Sequence, residues 1–288
     1  MILTSIRYKK VMNKNRIALA LCAIAVIFVS CSTTRNGSRH LPPLSELGLI
    51  LDSIVDEGYQ LYYSERANWV ATDLVFEHYQ PDQLGGSVSY QPDKNTWTVV
   101  FFDQSYENCL LECQFDIDSN HSVISDSIRP ITATEQELLR RKQAMFDKAV
   151  NMYGSEMSFA PSSFGNPNID IIQFDENLTR VYFLQGTIQH NVIPFGNDYS
   201  IDFDEKLQPI AFRRYHNSLI HCPTKNEEGE EVRMTWHSHL QDNPYITPTD
   251  ICNFLLYRSE NMFEFVVFST AYERMFTFNL VQRRIIIQ

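Results

Sequence analysis

"TWHSHLQDNPYITPTD", residues 235–250, decides how the second half of the chain folds and what it can do. Its first five residues alternate like a β-strand, so His237 and His239, two apart, project from one face. "QDNPY" then breaks the pattern with turn residues. "TPTD" opens a helix, with Thr247 or Thr249 as cap and proline in the first turn. Strand, turn and helix in that order point to a mixed architecture. The same residues carry chemistry. His237, His239 and Asp250 are a His, His, carboxylate set, which with water in a fourth place is a catalytic zinc arrangement. The plainer reading is two histidines hydrogen-bonded at a sheet edge, followed by an ordinary helix cap. Both readings stand on this stretch alone.

Working outward, "FEFVVFST" and "RMFTFNLVQ" form a closing hairpin, while "IDIIQF", "TRVYFLQGTIQ", "DYSIDFD" and "PIAFRRYH" read as strands before the histidines. "SEMSFAPSSFGNPN", 155–168, is a Pro/Ser/Asn-rich loop and the expected boundary between halves. Ahead of it, 132–154 has the clearest helical pattern, with Thr132 or Thr134 as cap and Gly154 at its end. Apolar residues at helical spacing predict another helix over 44–66. The period then changes to two, and "WVATDLVFEHY", "GGSVSYQP", "TWTVVFFD", "CLLECQFDID" and "SVISDSI" read as five short strands. The expected class is α+β: antiparallel meander sheets with a few helices, in an N-terminal domain over 44–154 and a C-terminal domain over 169–288.

The chain begins with a segment that reads as an address. Arg7, Lys9, Lys10, Lys14 and Arg16 precede the apolar run "IALALCAIAVIFVS", which is shorter than the roughly 20 residues a permanent span needs. "FVSC" resembles a bacterial lipoprotein cleavage site, with 1–30 as signal peptide, Cys31 as the acylated residue and 31–43 as a lipidated tether. Ser32 after the cysteine implies outer-membrane sorting, and a periplasm-facing position follows as the default. The chain as a whole resembles uncharacterised lipoproteins of the Bacteroidetes. Beyond the signal, 19 basic residues stand against 35 acidic ones. That balance argues against nucleic acid as a partner, because neutralising phosphate takes basic patches.

Of six cysteines, Cys109, Cys113, Cys222 and Cys252 remain in the mature chain outside the anchor. Such a compartment permits disulfides, and four cysteines allow three pairings. On a strand, Cys109 and Cys113 share a face, but their Cα atoms stand about 13 Å apart, too far to bridge. Free thiols are the other reading. Asp202, Asp204 and Glu205 read as hairpin-turn residues. His216 and His221 flank "NSLI" and could lie near the H-x-H pair. No phosphate loop and no nucleophile elbow is present.

The spacing at 237–250 also resembles the signature of the JAMM (MPN-domain) metallopeptidases: H-x-H-P, six residues, Ser, two residues, Asp. Here His237, Ser238, His239 and Leu240 are followed by six residues, Thr247 and then Asp250. Leu240 replaces the proline and Thr247 the serine. Carried over by position, the resemblance makes His237, His239 and Asp250 zinc ligands and gives Thr247 the task of holding the scissile carbonyl. The family's catalytic glutamate is expected about fifty residues upstream. Glu176, just before "LTRVYFLQG", is the one candidate, without the glycine pattern that normally follows. One expectation is therefore a membrane-anchored zinc hydrolase acting on an amide or isopeptide bond of a peptide or envelope substrate. The other is a non-catalytic binding or envelope-assembly lipoprotein with structural histidines.

Overall fold

Residues Leu44–His78 make one continuous helix, α1, where the sequence reading places a helix and then a strand. The computed structural model describes residues 39–288; the signal peptide expected over 1–30, the lipidated Cys31 and the tether to residue 38 lie outside the described residues. The strand expected over 69–79 is helix for a local reason. Ala67, Ala71 and Val75 repeat every four residues and are buried, and no glycine or proline interrupts them. Valines and threonines among them imitate a period of two. The helix stops where Tyr79 turns extended, two residues before Pro81.

Two sheets follow in sequence. Strands β1 (Leu84–Asp93), β2 (Thr96–Asp103), β3 (Asn108–Asp116) and β4 (His121–Ser125) form an antiparallel meander, with β5 (Arg129–Pro130) on β3. Helix α2 (Ala133–Tyr153) is capped by Thr132, whose hydroxyl accepts from Glu135 N while the Glu135 carboxylate takes Thr132 N–H. The second sheet runs β10-β9-β7-β6, from β6 (Pro167–Gln173), β7 (Thr179–Gln185), β9 (Tyr199–Phe203) and β10 (Pro209–Arg214). β8 (Val192–Phe195) and β11 (Ile220–Pro223) pair as a short ribbon beside it.

The C-terminal sheet has the order β12-β13-β14-β15, from β12 (Met234–His239), β13 (Glu264–Ser269), β14 (Arg274–Asn279) and β15 (Arg284–Ile287). β13 and β14 are the expected hairpin, and β15 extends it. β12 and β13 are parallel, joined by helix α3 (Pro248–Tyr257), so this part of the fold is a β-α-β unit within an otherwise antiparallel protein. The α+β class stands.

His40–Gln288 is one compact unit. Its centre is α1. Leu47, Leu51 and Val55 pack with Phe254, Phe265 and Phe278 of the C-terminal part. Further along the helix Leu61, Ala67, Ala71 and Val75 pack with Trp97, Val99 and Leu111 of the first sheet and with Tyr182 of the second. Gly58 lets α1 approach α3: a Cβ there would lie 2.7 Å from Ile251 Cβ. Arg180 ties α1 to the second sheet, reaching Glu57 at 2.6 Å and Asp202 at 2.5 Å, while Arg213 meets Asp202 at 2.8 Å. Asp202 is thus an ion-pair residue inside β9, and Asp204 is the turn residue, accepting from Lys206 N and Gln208 N.

All four described cysteines are buried free thiols. Cys109 and Cys113 do not share a face. A bulge pairs Phe101 with Leu111 but Phe102 with Cys109, so the alternation slips at Leu110. Cys109 joins Val88, Val100 and Phe102, and Cys113 enters the core under α1.

Candidate metal centre

Strand β12 buries every second residue, so Thr235, His237 and His239 point inward while Met234, Trp236 and Ser238 face out. Asp250 arrives from the first turn of α3, whose start lies at the end of β12 because the crossover helix runs back along the sheet. Between them, the 240–247 loop is held by Asn243, which donates to Arg214 O and Tyr215 O. That loop therefore packs on the segment after β10, and the segment brings His216. The four side chains His216, His237, His239 and Asp250 form one buried group whose ligand atoms all lie within 4.8 Å of one another.

The distances are those of a coordination shell. His239 Nε2 lies 2.9 Å from His216 Nε2 and 3.1 Å from His237 Nε2. Asp250 Oδ1 lies 3.2 Å from His216 Nε2 and 3.3 Å from His237 Nε2, and Asp250 Oδ2 lies 3.4 Å from His239 Nε2. Four donors about 2.0–2.1 Å from a central ion at tetrahedral angles stand about 3.3 Å apart. Three imidazole nitrogens meeting this closely need something positive between them, since at most one proton can sit between any two. Asp250 Oδ1 has no hydrogen-bond partner despite its two close nitrogens, and His237 Nδ1 is buried without one as well. This group can bind a metal ion.

The surroundings fix each ring. His239 Nδ1–H donates to Tyr245 O at 2.5 Å, which leaves the Nε2 lone pair for an ion. His216 Nδ1–H donates to Asp198 Oδ1 at 2.8 Å, the kind of carboxylate–histidine pair that can orient a ring toward an ion. Asp198 is itself held by the Thr249 hydroxyl, which donates to Oδ2. The His237 ring lies against Phe195, with ring centres 4.6 Å apart. Asp250 Oδ2 accepts from Thr247 N and from the Thr247 hydroxyl, each at 2.8 Å. This capping box orients the carboxylate and leaves Oδ1 facing His216 and His237.

Charge follows the same geometry. Burial opposes ionisation of Asp250, but His216, His239 and His237 overcome it and hold the carboxyl well below its usual range. Burial also opposes protonation of His216, yet Asp198 and Asp250 together hold its pKa well above the ordinary value. Burial pushes the His239 ring down to about 4, so that ring is a neutral donor at physiological pH. A cation entering the group would displace the proton that Asp198 and Asp250 favour on His216.

His237, His239 and Asp250 are therefore together, as the spacing predicts. Glu176 and Thr247 are not placed for the parts the resemblance gives them. Glu176 is exposed in the β6–β7 turn, on the rim of a different cavity, and is outside the ligand group. The Thr247 hydroxyl is buried and already engaged with Asp250 and Thr249. His216, noted in the sequence only as a neighbour, takes the fourth position. Asp198 carries no local signal at all. It sits in the β8–β9 turn, where Gly196 has φ +96° and a Cβ would meet Ser218 O at 2.1 Å. That contact presses the turn against the His216 loop, and Tyr215 N donates to Asp198 O. A cleft of about 550 Å³ reaches His216 and His239 from the solvent side. Comparison with protein-family models, with curated proteins and with solved structures returns no match.

Proposed function

We propose that this protein is a zinc-binding lipoprotein, anchored through Cys31 in the outer membrane and facing the periplasm, whose metal ion is held by His216, His237, His239 and Asp250. The observation that carries this reading is the convergence of three Nε2 atoms and the Asp250 carboxylate, all within 4.8 Å of one another and with contacts of 2.9–3.4 Å. Three imidazoles and one carboxylate suit a borderline-soft ion of tetrahedral preference, which favours zinc over magnesium or calcium.

Four protein ligands make a closed shell of the kind found where metal binding serves structure, whereas hydrolytic zinc keeps one position for water. His216 fills that position. A hydrolase would also need a carboxylate near the bound water, and Glu176 is elsewhere. The closed set supports the binding reading over the peptidase-like one. Zinc bound here would supply a cross-link between the His216 loop, β12 and α3; the residues themselves supply neutral, oriented nitrogen donors and a fixed carboxylate.

Elemental analysis of the full-length protein in detergent tests this. Near-stoichiometric zinc is expected, abolished in a His237→Ala, His239→Ala double variant. Asp250→Asn keeps an oxygen for the cap but presents an amide to the ion, and it also loses zinc while remaining folded by circular dichroism. Full zinc retention in the double variant would refute the site.

A further inference from the structure

A second cavity, of about 420 Å³, opens between α1, β1, α2 and β6, lined by charges of both signs. Asp170 of β6 and Lys142 of α2 both line it. Asp170 is 2% exposed, and its Oδ1 accepts from the Ser64 hydroxyl and Ile171 N, each at 2.8 Å. Its Oδ2 has no hydrogen-bond partner. Lys142 Nζ donates to Ser87 O at 2.8 Å, which leaves two of its N–H groups to spare. No ion pair joins Lys142 to Asp170 among the described residues. Arg141 lines the same space, as does Trp97, whose Nε1 is buried without a partner. Val88, Leu138, Met145, Ile169 and Ile171 supply an apolar wall.

We infer that this cavity binds a small zwitterion of amino-acid or dipeptide size with an apolar side chain, its ammonium toward Asp170 and its carboxylate toward Lys142, Arg141 and the Trp97 N–H. The chemistry excludes simpler occupants. A neutral polyol can hydrogen-bond to both groups but brings no opposite charge to either. A phosphate dianion suits the two cations but meets Asp170, and also Asp175 and Glu176 at the rim. A plain cation meets Lys142 and Arg141. A volume of about 420 Å³ falls at the small end of ligand sites and matches one or two residues. Burial also pushes the Asp170 carboxyl above its usual range, against the Ser64 and Ile171 hydrogen bonds and the Lys142 charge. A bound ammonium supplies the partner that this carboxylate lacks.

The test is isothermal titration of the full-length protein with leucine, alanyl-leucine and leucyl-alanine, beside N-acetyl-leucine and leucinamide, which each delete one charge. At least one zwitterion is expected to bind with Kd at or below about 1 mM, and both charge-deleted leucines at least about tenfold more weakly than leucine itself. Asp170→Asn and Lys142→Met each weaken binding similarly, with folding checked by circular dichroism. The His237→Ala, His239→Ala variant binds as the parent does, since the cavity shares no residue with the metal centre. Absence of heat from every zwitterion up to about 10 mM overturns the inference. Equal binding of leucine and N-acetyl-leucine overturns it too, because an apolar hole would then be sufficient.

Discussion

Asp198 never touches the proposed ion, yet the Asp198→Asn substitution is expected to weaken zinc binding by up to about fifty-fold, less what Asp198 contributes to holding a proton on His216 without the ion. Asp198 Oδ1 stands 2.8 Å from His216 Nδ1. Crossing the ring adds about 2 Å and the metal–nitrogen bond about 2 Å more, so the carboxylate lies about 7 Å from the ion. With Asp250 ionised, the centre carries one net positive charge. At an effective dielectric of about 20, two unit charges at that distance attract by about 2.4 kcal/mol. Each 1.4 kcal/mol is a factor of ten, and the resulting fifty-fold falls within the 10–100-fold typical of partners that orient a ligating histidine. The replacement asparagine still fits the space, and its amide oxygen still accepts from His216, so the ring keeps its tautomer. The assay is competition against a chromophoric zinc chelator at fixed pH, with full-length protein in detergent. An affinity equal to or tighter than the parent's would show that the Asp198 charge does not support the ion through His216.

Glu65 gives a pH prediction away from the metal. Burial, and then Asp170, push its carboxyl up to about 8, against the Asn168 hydrogen bond. The unfolded chain releases this proton near pH 4.3 while the folded one retains it, so the contribution is complete below that pH and is lost as pH rises toward 8. Glu65→Gln keeps the Asn168 contact and removes the titration. Between pH 5 and 8 the variant's urea stability, relative to the parent, should climb by at most about 1.4 kcal/mol per pH unit; parallel curves would mean that Glu65 is ionised when folded. Gly196→Ala forces a Cβ to within 2.1 Å of Ser218 O at a φ of +96°. A loss of about 2–4 kcal/mol is expected in the same assay, together with weaker zinc binding; an unperturbed variant would show that the β8–β9 turn does not position His216.

What could be read from the sequence here was local, and what could not was long-range. His237 and His239 share a face because a strand alternates, and Asp250 follows because a capping box wants an acid at the third helical position. Both facts sit within sixteen residues. His216 and Asp198 reach the same point only because the β10-β9-β7-β6 order and the β8–β11 ribbon bring two turns together. β8, β11 and β15 are four residues each, too short for alternation to register. The end of α1 misled because valine and threonine suit a strand, while its buried alanines, which hold the true period, are neutral to such a reading. Glu176 was placed by counting along a chain. The hairpin that carries it turns toward another cavity.

The two readings of Asp250, cap and ligand, turn out to use different oxygens. Oδ2 closes the capping box with Thr247, and Oδ1 is left without a hydrogen-bond partner between His216 and His237. The cap therefore does not compete with the ion. It fixes one donor before any metal arrives, just as Tyr245 O fixes His239 and Asp198 fixes His216. With three of four donors already oriented, little ordering remains to be done on binding, and most of the coordination energy is available to hold the fold. The ion would join a loop, a strand and a helix that no described disulfide connects, in a protein whose described cysteines are all buried and reduced. On that argument a bound metal would take the part that disulfides play elsewhere, and removing it should loosen the His216 loop and the start of α3 before any other part of the fold.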